Sequence, residues 1–114
     1  MPFEQHQEKS YPKDARSIYQ AALATVERLG GNVVSSAPDK FRLEAKFPKT
    51  MLGKTLGERT YLSCEVRPLD GAGLVVIDAY PLDAVERKLM FGARKGVTQT
   101  VVTWFLEHLD QQPA

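Results

Sequence analysis

Residues 41–47 read Phe-Arg-Leu-Glu-Ala-Lys-Phe, and nothing in the run breaks the alternation of apolar and charged side chains. Successive side chains on an extended backbone point to opposite faces. Phe41, Leu43, Ala45 and Phe47 therefore share one side, and Lys40, Arg42, Glu44 and Lys46 share the other. A segment of this kind needs a core on one face and water on the other, which is the habit of antiparallel sheets. The chain is thereby expected to build a sheet and to supply something that covers one face of it.

Three more segments fit the same sheet. Asn32–Ser36 is short and β-branched, and Ala37-Pro38-Asp39-Lys40 turns it into the first run. Glu58–Arg67 sets Leu62, Cys64 and Val66 inward and Tyr61, Ser63, Glu65 and Arg67 outward. Asp70-Gly71 is a hairpin signal, and Gly73–Tyr80 follows it with Val75, Ile77 and Ala79 on the core side. Pro81 ends that strand.

The cover comes from two helical patterns. Ala15, Ile18, Tyr19, Ala22, Val26 and Leu29 fall on one helical face, so a helix is expected over Tyr11–Leu29. Ser10 would cap it, Pro12 suits its first turn, and Gly30-Gly31 would end it. A second helix is expected over Ala93–Asp110, with Val97, Val101, Val102, Phe105 and Leu109 inward. Residues 82–95 between sheet and helix read as an irregular connection or a short helical turn near Asp83–Met90.

The expected fold is thus α+β: a two-layer domain in which a four-stranded antiparallel meander carries its N- and C-terminal helices on one face. Residues 1–10 are expected to be a disordered tail, 11–110 the single domain and 111–114 a second tail. The expected core is Ile18, Ala22, Val26, Leu29, Phe41, Leu43, Phe47, Leu62, Cys64, Val66, Val75, Ile77, Val101, Phe105 and Leu109. At 114 residues there is length for one such core and no second domain.

Composition closes several routes to function. No run approaches the ~18 apolar residues of a membrane helix. The first eight residues lack the apolar stretch of a secretory signal, and the expected compartment is the cytoplasm. With a single cysteine, Cys64, no intrachain disulfide can form. Cys64 falls on the inward phase of its strand, His6 in the expected tail and His108 beside the apolar stripe of the last helix. Neither a nucleophile with its base nor a metal-ligand spacing emerges, so the sequence implies no catalytic residue, no metal and no cofactor. Gly53-Lys54-Thr55 resembles the end of a phosphate-binding loop, but Pro48 stands where that motif needs its first glycine, and a strand follows rather than a helix.

What remains are surfaces. Gly73–Tyr80 is apolar on both phases, which leaves Leu74 and Val76 beside Tyr61 and Tyr80 on the outer face. These four are interface candidates, and a twofold homodimer is the expected partner arrangement. The loop 48–57 presents Met51, Leu52 and Leu56 among Lys49 and Lys54, a pattern suited to a protein partner or a membrane surface. Arg87, Lys88, Arg94 and Lys95 flank an apolar segment and are candidates for binding an anion. The net charge is only +1, which argues against nucleic acid as a partner.

The run from Asp14 to Leu109 resembles small bacterial domains of uncharacterised function with the order helix, four strands, helix. The resemblance rests on Ile18-Tyr19-Gln20-Ala21-Ala22-Leu23, on Leu29-Gly30-Gly31 leading into Phe41-Arg42-Leu43-Glu44-Ala45, and on the closing helix from Gly92 to Leu109. It implies a sheet with helices on one side and transfers no site residue; the basic loop at 48–57 departs from it. The leading functional expectation is a non-enzymatic interaction domain acting through the outer sheet face and the 48–57 loop. The alternative is a binding module for an apolar or anionic small molecule, with its pocket between helices and sheet. Weak nucleic-acid binding is third.

Overall fold

The alternating segments pair as expected, but they share the sheet with a strand that the sequence did not announce. In the computed structural model, which describes residues 4–56, 59–83, 85, 87, 88 and 96–111, β1 is Gln5–Tyr11, α1 Ala15–Arg28, β2 Asn32–Ala37 and β3 Arg42–Phe47. There follow β4 (Thr50–Met51), β5 (Lys54–Thr55), β6 (Arg59–Leu69), β7 (Ala72–Leu82) and α2 (Val97–Asp110). The main sheet has five antiparallel strands in the order β1-β7-β6-β3-β2, and β4-β5 is a separate small hairpin.

Two expectations need correction here. The sheet has five strands rather than four, and α1 is not N-terminal, because β1 precedes it. Residues 5–11 are likewise no tail: β1 pairs along its whole length with β7, from Gln5 opposite Ala79 to Tyr11 opposite Gly73. Ser10 sits in that ladder opposite Leu74, so it does not cap α1; Asp14 holds the cap position with extended backbone and no side-chain cap bond. The helix is correspondingly shorter at its start than its periodicity suggested.

The other helix end is as expected. Gly30 has φ +83°, Gly30 N–H donates to Glu27 O, and Gly31 N–H donates to Val26 O, the two bonds of a Schellman motif. Gly31 is also a packing requirement, because a Cβ there would lie 2.6 Å from the Phe47 ring.

Both helices pack on the inner face of the sheet and touch each other. α1 brings Ile18, Ala22 and Val26, α2 brings Val101, Phe105 and Leu109, and the strands bring Leu43, Phe47, Leu62, Cys64, Val66, Val75 and Ile77, all buried in one cluster. Phe41 departs from the expected core: it is only partly buried against it. The cluster also takes in Met51, which is 1% exposed.

The N-terminal strand and the C-terminal helix are tied together. Lys9 Nζ donates to both carboxylate oxygens of Asp110 at 2.8 and 3.0 Å, and Tyr11 Oη donates to Oδ1 at 2.8 Å. A carboxylate at a helix C-terminus opposes the helix dipole. Burial would push the Asp110 carboxyl up, but the bonds from Lys9 and Tyr11 outweigh it and hold the group below its ordinary range.

Candidate functional site

The side chain that departs from the core is the one that shapes a site. Phe41 follows the short 3₁₀ turn Pro38–Lys40 and adopts φ 51°, ψ 48°, the left-handed region that a bulky L-residue avoids. Two backbone hydrogen bonds hold it there: its N–H donates to Pro38 O at 3.2 Å, and its carbonyl accepts Val66 N–H at 2.8 Å. The switch in handedness takes its ring partly out of the core cluster and brings it near Tyr19, ring centroids 6.0 Å apart at 57°. Tyr19 is itself fixed, since its hydroxyl donates to Arg42 O at 3.3 Å.

Between α1 and the 3₁₀ turn this leaves an open groove of about 450 Å³ lined by Arg16, Tyr19, Gln20, Leu23, Pro38, Asp39 and Phe41. Arg16, Gln20 and Leu23 are neighbours on one helical ridge, being three or four residues apart. Among the described residues Arg16 has no carboxylate partner. The groove offers two rings and a leucine for an apolar body, together with two charged side chains, the Asp39 carboxylate and the Arg16 guanidinium, which stays charged at any physiological pH. The alternation of 41–47 implies a core position for Phe41 and gives no sign of this groove. The available signal was Pro38 three residues ahead of Phe41, which marks a turn but does not reveal the handedness of the residue that leaves it.

The interface candidates lie together on the outer face of β6 and β7. Tyr61 and Tyr80 are cross-strand partners whose rings stack at 4.6 Å and 23°. Tyr61 Oη donates to Glu44 at 2.6 Å; burial and this bond raise its phenol well above the ordinary value. Leu74 is half-buried. Val76 was expected to be exposed, yet it is 6% exposed, because Glu8 on β1 and Glu65 on β6 flank it in the register. The added strand thus explains why β7 is apolar on both phases: it lies inside the sheet, not at an edge.

The loop candidates divide. Met51 turns inward instead of outward, and Leu56 packs partly against the core. Lys49 is exposed, and its carbonyl accepts Leu56 N–H at 2.6 Å. Lys54 Nζ lies 5.9 Å from the Trp104 ring centroid. Leu52 remains at the hairpin tip, 51% exposed with φ 52°, followed by Gly53 at φ 79°. Two successive positive φ values are the habit of a type I′ turn, so Gly53-Lys54-Thr55 belongs to a hairpin and not to a phosphate cradle.

Of the anion-binding candidates, Arg94 and Lys95 lie outside the described residues. Arg87 pairs with Asp83 at 3.9 Å, while Lys88 pairs with Glu4 at 2.7 Å and stands 5.3 Å over the Tyr80 ring. Cys64 is fully buried, and burial pushes its thiol up to about 12. Among the described residues no group of His, Cys, Asp and Glu is arranged to hold a metal ion, and no described helix is long and apolar enough to cross a membrane.

No protein-family model matches the chain, and no curated protein is similar to it in sequence. Its fold is similar to that of Ara h 8.0201, with a TM-score of 0.61 and 8% identity over 95% of this chain and 94% of that one. It is also similar to the di-domain ARO/CYC BexL from the BE-7585A biosynthetic pathway, with a TM-score of 0.57 and 10% identity. That match covers 94% of this chain and 44% of BexL. At such identities the likeness is one of fold: an antiparallel sheet with helices packed on one face.

Proposed function

We propose that the chain is a non-catalytic small-molecule-binding module that takes a compact organic anion with an apolar body. The observation that carries this reading is the groove in which Arg16, which has no carboxylate partner among the described residues, stands with the Tyr19 and Phe41 rings. Strained backbone persists where surrounding structure over-determines it, and it clusters at ligand sites. The Phe41 carbonyl and N–H are both pinned, so the ring wall is preorganised rather than recruited on binding. The groove lies beside α1, whereas the pocket expected from the sequence lies between helices and sheet. BexL builds on a similar framework.

Naphthoate is a suitable probe. At a ligand efficiency near 0.3–0.4 kcal/mol per heavy atom it should bind with a Kd of about 0.1–1 mM. Amide shifts on titration should cluster at Arg16, Gln20, Leu23 and Asp39, and Arg16→Glu should weaken binding at least several-fold. No saturable shift up to roughly 5 mM, or shifts confined to another face, would remove the reading.

A second reading concerns the outer sheet face. Tyr61 and Tyr80 stack there on a surface that neither helix covers, and this favours self-association.

A further inference from the structure

We infer that two copies of the chain pair through their outer sheet faces about a twofold axis that runs along the strands, between β6 and β7. This develops the self-association reading and is independent of the ligand groove. Its basis is the distribution of charge across the register. Glu8, Val76, Glu65 and Arg42 form one row across β1, β7, β6 and β3. His6, Asp78, Ser63 and Glu44 form the next. An axis between β6 and β7 exchanges β7 with β6 and β1 with β3 while keeping each row at its own level.

Glu8 then faces Arg42 of the second copy, and His6 faces Glu44 of the second copy. Each contact occurs twice by symmetry, and each joins groups of opposite sign once His6 is protonated. The stacked Tyr61 and Tyr80 lie beside the axis, with Lys88 of the same chain 5.3 Å over the Tyr80 ring. The same operation sets Val76 against Glu65 and Asp78 against Ser63, so the self-complementary charge that a twofold interface requires lies in β1 and β3. Aligned sheets pack face to face in this way.

The size sets the strength. About this axis four strands of each copy overlap, β1, β7, β6 and β3; at about 4.8 Å apart and about seven residues long they give roughly 900 Å² of buried surface in total, the size of a weak, transient contact. A contact of this size is weak, so the pairing is concentration-dependent and shows at tens to hundreds of micromolar, about the range in which transient contacts form.

Sedimentation equilibrium from roughly 10 to 500 µM on the intact chain tests the arrangement. Glu8→Arg and Arg42→Glu should each weaken the dimer about tenfold or more. The double variant, which reinstates opposite charges across the interface, should recover most of the loss. Both side chains are about half exposed and neither is part of the core, so the variants should fold. A wild type that stays monomeric throughout the range overturns both this arrangement and the self-association reading. A dimer in which the double variant binds no more tightly than the single ones overturns the arrangement alone.

Discussion

Nδ1 of His6 lies 2.7 Å from Oδ1 of Asp78, directly across the β1–β7 ladder, while its Nε2 lies 2.9 Å from Glu8. The imidazole thus spans two carboxylates on an exposed edge strand. The hydrogen bond to Asp78, then that to Glu8, raises its pKa above the ordinary 6.5, with burial opposing. A raised folded-state pKa means that folding takes up a proton. The contribution is complete below pH 6.5 and is lost as pH rises through the folded value. NMR titration should give His6 a pKa above that of an unfolded control, and Asp78→Asn should lower it. Amide exchange along β1 should be slower at pH 5.5 than at pH 8 once the intrinsic rate is corrected. Equal protection at the two pH values would mean that the clasp does not hold the strand.

Leu52 occupies a left-handed position that favours Asn or Gly. Leu52→Asn should stabilise the chain by about 1 kcal/mol, because a side chain in this conformation costs roughly 1–2 kcal/mol and half of this one is exposed. Urea unfolding reads the change as a higher midpoint at unchanged slope. A lower midpoint would show that the leucine earns its place through contacts.

Gly31→Ala should act in the opposite direction. The new Cβ would stand 2.6 Å from a Phe47 ring that is itself buried, so ring or helix end must move. A cost of about 1–3 kcal/mol in the same assay is expected for overpacking of this kind. Gly30→Ala has open space but a positive φ, so its cost, about 1 kcal/mol, should come from the backbone alone.

The fold was legible wherever burial wrote a period into the chain. The alternation in 41–47 and 59–66 set the register of the central strands, and the apolar stripe of α1 ended at Gly30 as the sequence indicated. β1 was illegible for a physical reason: Gln5-His6-Gln7-Glu8-Lys9-Ser10 is polar on both phases, and the strand is held by β7 backbone and side-chain clasps rather than by apolar burial. Missing it left β7 looking like an exposed apolar edge, which exaggerated the patch around Val76. The Phe41 groove was hidden because strict alternation says nothing about a residue whose backbone leaves the strand region just before the strand starts.

Cys64 should be inert in the native state. Its thiol is buried and its pKa is pushed up to about 12, so little thiolate exists at neutral pH. A thiol reagent should label it only as fast as the chain opens, and promptly in denaturant. Prompt native labelling would place the residue elsewhere than the core.

The bond from Tyr11 to Asp110 spans 99 residues of sequence, and that from Lys9 spans 101. The β1–β7 ladder joins positions more than sixty residues apart. Closing such loops costs entropy before any contact returns it, and chains dominated by distant pairings fold slowly. A ribosome releases β1 long before β7 exists to receive it. During synthesis the polar character of β1 keeps that waiting strand soluble and disinclined to pair with a neighbour's. The same lack of apolar pattern that concealed the strand from view is what makes it safe to leave unpaired until the sheet is ready.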